Sequence, residues 1–236
     1  YIDFFGVACG ENNILLTNNN SAYETVISLI QKGIKVEAII DNREHVDSKL
    51  LYEVEKNSIK VYKGFTIVDT FGYKRINKVS IMQLSKDGQN VIGSKINLAC
   101  DCLGVSGGWT PAVHLFTQSG GKLKFRDKDQ VFIPNKYPAD QISVGSCNGD
   151  LTLDDIIINT PKYLKEFLNI KKAEYEKIEV FSSENASKRN IWLLPSDKIF
   201  GKTKSFVDYQ NDATAKDIKL ALREGFRSIE HVKRYT

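Results

Sequence analysis

Between Asp101 and Gly121 the chain reads DCLGVSGGWTPAVHLFTQSGG. An apolar strand end breaks there at Ser106-Gly107-Gly108. The chain then passes Trp109-Thr110-Pro111 and closes on Gly120-Gly121. Paired glycines permit positive φ and a close approach of backbone to a neighbour. Pro111 fixes its own φ and biases Thr110 toward an extended conformation. These constraints predict a crossover at which the chain leaves one α/β domain and enters another. The alternative is an ordinary surface loop.

The residues before the crossover follow a strand-helix order. Asn13–Thr17 has the apolar run of a buried parallel strand. A helix follows Asn20 or Ser21, either of which suits an N-cap. Its apolar residues, Ala22, Val26, Leu29 and Ile30, recur at helical spacing, and Gly33 stands where such helices stop. Lys35–Ile40 is a second strand with Asp41 at its carboxyl end. Ser48–Lys56 is a helix and Ile59–Tyr62 a third strand. Phe65–Phe71, Ile76–Leu84 and Asn90–Leu98 have the pattern of an antiparallel meander, with a turn at Lys86-Asp87-Gly88. Leu98–Val105 returns to the sheet. The expected fold class is α/β, with a Rossmann-like domain of pyridine-nucleotide type.

That domain lacks one part of the usual dinucleotide equipment. The first strand-to-helix turn should be rich in glycine, so that a pyrophosphate can lie against the backbone. Here it reads Thr17-Asn18-Asn19-Asn20-Ser21. Asparagine tolerates left-handed geometry, but its side chain obstructs the phosphate. Asp41 is therefore read as a strand-end carboxylate rather than a ribose ligand, and this half of the fold as weak or empty.

After the crossover, Lys122–Phe125 and Gln130–Ile133 predict a hairpin. Gln141–Ser146 is a candidate strand running into Cys147-Asn148-Gly149-Asp150. A helix over Thr152–Asn159 follows, with Asp155 completing a capping box. Such a turn presents free N–H groups to an anion. It is the best candidate contact site, although a plain β-α turn has equal standing. Tyr163–Phe181 is charged and starts as a helix, and 182–204 is a linker or packing arm. The tail from Ser205 forms a short extended piece at Phe206-Val207-Asp208. Two helices follow, capped by Thr214 with Asp217 and by Ser228, with Gly225 between them. No base-reading set supports DNA binding by this helix pair.

The 236 residues suffice for one or two domains, and 26% charged residues suit a globular chain. No apolar run approaches the roughly 20 residues of a membrane span. The +4 net charge carries no nucleic-acid motif. Four cysteines without framework spacing point to reduced thiols and a cytoplasmic setting. Tyr1 opens in mid-pattern, so the chain is expected to be an interior piece of a longer polypeptide. His45, His114 and His231 are scattered, and no catalytic residue can be named. Cys100 and Cys102 fall on one predicted strand face but lack the further ligands of a metal site. No Cys-x-x-Cys supports a dithiol reductase.

Four segments, TNNNSAYETVISLIQKG, LACDCLGVSGGWTPAVHLFTQSGGKLKF, VGSCNGD and FVDYQNDATAKDIKLALREGFRSIEHVKRYT, together resemble the alpha subunit of heterotetrameric sarcosine oxidase. They occur in the same order over nearly the whole chain. The resemblance implies the two-dinucleotide-domain architecture of flavoprotein reductases with a bound NAD. It implies an oxidoreductase acting on CH–NH donors, which demethylates sarcosine to glycine and releases hydrogen peroxide. FAD and a covalent FMN would belong to the assembled complex with beta, gamma and delta subunits. The one-carbon unit would pass to tetrahydrofolate on a later domain. In this reading 1–108 is the inserted nucleotide-type domain with its meander, and 109–181 is the return of the first nucleotide domain. Residues 182–204 are the arm and 205–236 a small helical domain.

Two parts of the family pattern are expected outside these residues: the glycine-rich turn that holds most of the NAD, and the folate domain. The fragment alone should be inactive. By the resemblance Gly145, Ser146, Cys147, Asn148 and Gly149 form the cofactor turn, with Ser146 replacing the acid of the usual Gly-Asp pair. The tail is similar to the small [2Fe–2S] domain of related amine and opine dehydrogenase subunits. Its cysteine pair is missing at Asp208-Tyr209-Gln210-Asn211-Asp212, and such a cluster needs four thiolates. Three alternatives remain: a subunit of an opine or secondary-amine dehydrogenase, a non-catalytic scaffold, and a stand-alone NAD(P)H–flavin reductase. The missing dithiol and glycine-rich turn count against the last.

Overall fold

A computed structural model describes residues 1–138, 140–170 and 190–236. Its contacts divide the chain into two units, Tyr1–Ser106 with Ile191–Thr236, and Gly107–Asn190.

The first unit begins with a four-residue helix, α1 (Ile2–Phe5), within the apolar lead. Then come β1 (Asn12–Thr17), α2 (Ser21–Gln31), β2 (Lys35–Asp41), α3 (Ser48–Lys56) and β3 (Lys60–Lys63). The meander is β4 (Phe65–Gly72), β5 (Ile76–Leu84) and β6 (Val91–Ala99), and β7 (Cys102–Ser106) returns the chain. The strands β3-β2-β1-β7 form one sheet in that order, all parallel, and β4-β5-β6 form an antiparallel sheet. Successive side chains of a strand face opposite ways. Ile14, Leu16, Ala38 and Ile40 accordingly pack with Ile67, Val79 and Ile81 of the meander. Leu15, Val36 and Ile39 pack with Ala22, Tyr23 and Val26 of α2 and Val54 of α3. The unit is three layers: helices, parallel sheet, meander. This is the Rossmann-like α/β architecture expected from the strand-helix order.

Local chemistry sets the ends of these elements. Gly33 follows α2 at φ 74°, a left-handed geometry that favours glycine. The Asp47 carboxylate accepts from the Lys49 and Leu50 amides at the start of α3.

The second unit contains α4 (His114–Gln118), the hairpin β8 (Lys122–Arg126) with β9 (Val131–Lys136), and α5 (Leu153–Phe167). Two expectations are corrected here. Gln141–Ser146 is not a strand: Gly145 sits at φ 65° and a 3-10 turn, Gly145–Asn148, takes its place. The helix does not stop at Asn159 but runs through Pro161 to Phe167. Proline removes one helical hydrogen bond, and the helix continues past it to Phe167. The helix expected over Tyr163–Phe181 and the arm over 182–204 lie partly outside the described residues.

The remainder of the first unit holds β10 (Phe206–Asp208), β11 (Ala213–Thr214), α6 (Ala215–Arg223) and α7 (Ile229–Tyr235). Thr214 and Asp217 form the anticipated capping box. Its hydrogen bonds from Thr214 hold the Asp217 carboxyl below its ordinary range. Ahead of β10, Asp197 pairs with Lys95 at 2.8 Å, and Lys198 with Asp69 at 2.6 Å, which ties this segment to the meander. Among the described residues no helix is long and apolar enough to cross a membrane.

Candidate functional site

In an open α/β sheet, ligands bind outside the carboxyl ends of the strands, where the strand order reverses. In the four-stranded sheet that point lies beside β1, between Thr17 and Ser106, which are register partners on β1 and β7. The chain fills it with its own side chains. The Asn19 amide nitrogen donates to the Ser106 carbonyl at 3.1 Å and to its hydroxyl at 3.0 Å. The Asn19 amide oxygen accepts from the Ser21 amide at 3.1 Å and from the Ser21 hydroxyl at 2.5 Å. The backbone N–H that would meet a phosphate at the start of α2 is thus occupied, and the crevice is bridged.

The acid at the end of β2 is also engaged. Asp41 is fully buried. It accepts from Arg43 Nε at 3.0 Å, Arg43 Nη2 at 2.8 Å and the Arg43 backbone N–H at 2.8 Å. The Tyr23 hydroxyl donates to it at 2.9 Å. Arg43 Nη1 donates in turn to Asn20 Oδ1 at 2.8 Å. A two-pronged guanidinium–carboxylate pair is the strongest common form of such a contact. Burial first, and the Asp41 charge second, push the Tyr23 phenol well above its ordinary range. Asp41 therefore has four donors from its own chain and no role left for a ribose hydroxyl. Arg43 was missed in the sequence, although its position two residues after the strand-end acid was available as a signal.

The second candidate lies in the other unit. Gly145, Ser146, Cys147, Asn148 and Gly149 form one continuous turn, with Ser146 and Cys147 exposed and both glycines buried. Gly149 has φ 87°, and a Cβ there would lie 2.7 Å from Arg126 Nη2 and 2.9 Å from Ile133 Cγ2. Only glycine lets the turn sit this close to the hairpin. Arg126 Nη2 donates to the Gly149 carbonyl at 2.7 Å. Asp150 is 8% exposed; Oδ1 accepts from Asn159 Nδ2 at 3.0 Å, while Oδ2 is buried without a hydrogen-bond partner. Tyr163 hydrogen-bonds with Asn148, and burial, then the Asp150 charge, raise its phenol. Thr152 caps α5 and Asp154 and Asp155 occupy its first turn. That helix start is already complemented by negative charge, which disfavours a phosphate. The unpartnered oxygen of Asp150 instead asks for a donor, such as a hydroxyl. Arg126, Asp150, Asn159 and Tyr163 were not singled out in the sequence, because they meet only after the hairpin and α5 pack on the turn.

The remaining candidates separate. Where the similar iron–sulfur domain would have cysteines, the Asp208 carboxylate accepts from the Gln210 amide and the Asn211 side chain, at 2.8 and 2.7 Å. Cys100 and Cys102 do not share a strand face: β6 ends at Ala99 and β7 starts at Cys102. Among the described residues no group of three potential ligands is arranged to hold a metal ion.

Comparison with known proteins places this geometry. Residues 202–236 match the family model of the sarcosine oxidase A3 domain. The whole chain is 30% identical over 250 residues to sarcosine oxidase subunit alpha of Corynebacterium sp. (strain P-1), covering 25% of that protein. It is 27% identical over 241 residues to the Rhizobium meliloti (strain 1021) subunit, covering 23% of it. The chain thus spans about a quarter of the length of these curated relatives. Among solved structures it is similar to T. acidophilum thioredoxin reductase, with TM-score 0.42 and 13% identity over 67% of this chain and 52% of that one. A second is LpdA from Mycobacterium tuberculosis, with TM-score 0.46 and 12% identity over 73% and 38%. Along its whole length, then, this chain is similar to sarcosine oxidase alpha subunits.

Proposed function

We propose that the chain is the part of a sarcosine oxidase alpha subunit that holds nucleotide-fold and subunit-interface structure. With beta, gamma and delta subunits, the enzyme would demethylate sarcosine to glycine, pass the one-carbon unit to tetrahydrofolate and release hydrogen peroxide. FAD and FMN would do the redox chemistry in the assembled complex. The proposed domains are 1–108, 109–181, 182–204 and 205–236. One observation carries the reading: the similarity to subunit alpha covers all of this chain, and the A3 match falls on its tail.

An NAD belongs to this proposal, and the two turns fit it unequally. The crevice beside β1 does not fit, because Asn19 and Arg43 occupy the places of phosphate and ribose contact. The turn Gly145–Gly149 fits a hydroxyl-bearing part of the nucleotide, with Asp150 Oδ2 as its acceptor. A bound nicotinamide can exchange a hydride; the protein supplies position and electrostatics. Gly145, Ser146, Cys147, Asn148 and Gly149 are assigned here to orient the nucleotide. The closed crevice makes 1–108 a scaffold within an enzyme.

The test is to co-express the full-length protein with its partner subunits, measure peroxide formed from sarcosine, and identify nucleotides released on denaturation. Peroxide from sarcosine and released NAD are expected. Turnover of an opine in place of sarcosine would overturn the substrate assignment, and a preparation free of nucleotide would overturn the holding role.

A further inference from the structure

At the opposite end of β1 from the crevice, the chain brings two thiols together that no step above uses. The Asp101 carboxylate accepts the Asn12 amide at 2.8 Å and the Glu11 amide at 3.0 Å. This clamps the segment before β1 onto the turn between β6 and β7. Gly10 consequently lies directly against Cys102: a Cβ on Gly10 would be 2.5 Å from Cys102 Cβ and 2.7 Å from Asp101 Oδ1. Cys9 is one peptide step away, about 3.8 Å between consecutive Cα atoms. A disulfide needs Cα atoms about 4.4–6.8 Å apart, and that separation is within reach of the exposed lead carrying Cys9. All four cysteines are free thiols; Cys9 is exposed, Cys102 half-buried, Cys100 buried and Cys147 in the other unit.

We propose that Cys9 and Cys102 form a peroxide-oxidised dithiol, in which Cys9 is attacked first and Cys102 resolves it to an intramolecular disulfide. The oxidant is hydrogen peroxide. The Cys9 thiolate attacks one peroxide oxygen; an S–O bond forms, the O–O bond breaks, and the departing hydroxide leaves as water after taking a proton. The Cys102 thiolate then attacks the Cys9 sulfenic sulfur; the S–S bond forms, the S–O bond breaks, and a second water leaves. Two thiols and one peroxide give one disulfide and two waters. The sulfurs lose two electrons and the peroxide gains two. Exposure makes Cys9 the entry point. Burial first, then the nearby Cys9 and Asp101 charges, raise the Cys102 thiol. The bridge would fasten the lead Tyr1–Gly10 covalently to β7, and an enzyme that made peroxide would fasten itself. The inference does not depend on that activity, since the peroxide can be added.

The experiment treats native full-length protein with excess hydrogen peroxide, blocks remaining thiols, and maps peptides without reduction. A Cys9–Cys102 linked peptide, lighter by two hydrogens than its two halves, is the expected result. Cys102→Ser should lose the link and leave a dimedone adduct on Cys9. Cys100→Ser should form the link as the parent does. Absence of the link, a bridge through Cys100 or Cys147, or a Cys9–Cys9 bridge between chains would each overturn the proposal.

Discussion

The turn after β1 and the turn before α5 have the same outline but opposite bookkeeping of polar groups. Each gathers an asparagine, an aspartate, an arginine and a tyrosine. After β1, the buried Asp41 has donors on both oxygens, from Arg43 and Tyr23. Before α5, the buried Asp150 has Asn159 on one oxygen and nothing on the other. A buried polar atom without a partner costs roughly 1–3 kcal/mol. A chain tolerates that cost more readily where a ligand removes it. The contrast teaches that a nucleotide fold and a nucleotide site are separable: the first unit keeps the sheet and closes the site.

The largest effect should come from breaking the closed network. Arg43→Met strands Asp41 in the interior, and loss of one partner of a buried pair costs about 3–5 kcal/mol. Chemical denaturation of the full-length protein should show this as a lower midpoint. Replacing the pair with apolar residues, Asp41→Leu with Arg43→Met, should recover much of it. A single variant within about 0.5 kcal/mol of the parent, the ordinary range of a surface change, would mean that the network is not closed to water.

Gly149→Ala comes next. A side chain at φ 87° meets Arg126 and Ile133, and a left-handed non-glycine residue alone costs about 1–3 kcal/mol. Proteolysis should begin near the hairpin β8–β9 in this variant while the parallel sheet stays protected. Equal protection of both regions would remove the close packing claimed for the turn.

The third effect separates holding from scaffolding. Asp150→Asn keeps the size but exchanges the unpartnered acceptor for a donor. Loss of one hydrogen bond of about 1.4 kcal/mol lowers retention of a hydroxyl-bearing nucleotide roughly tenfold. Asn19→Ala should leave retention unchanged while costing about 1 kcal/mol of stability. Nucleotide content after gel filtration reads both. Equal losses, or none, would erase the functional distinction between the two turns.

Much of this contrast was legible from residues. The glycine-free run Thr17–Ser21 marked the first turn as weak or empty for a pyrophosphate, because side chains stand where bare backbone is needed. The apolar run Asn13–Thr17 and the Thr214 and Ser228 cap positions marked the elements locally. What stayed hidden depends on contacts distant in sequence. The Asn19–Ser106 bridge spans most of the first unit, and Arg126 reaches Gly149 only after a hairpin forms. The 3-10 turn was misread as a strand because Ile142 and Val144 favour extended backbone, whereas Gly145 turns it.

The smallest effect is silent at neutral pH and comes from the two tyrosines. Tyr23 and Tyr163 are both raised by burial and then by a neighbouring aspartate, Asp41 and Asp150 respectively. A phenol whose folded pKa lies above its unfolded value, about 10, is held neutral by the fold. Its contribution to stability is complete below that pH and is lost as pH rises through the folded value. Both should ionise late when the protein is titrated by ultraviolet difference absorbance. Tyr23 should follow Tyr163, because it is fully enclosed and donates to the charge that raises it. Tyr163→Phe should remove the earlier of the late phases and Tyr23→Phe the later. The reverse order would mean that Asp150 is the better enclosed of the two carboxylates, and the contrast between the turns would have to be turned round.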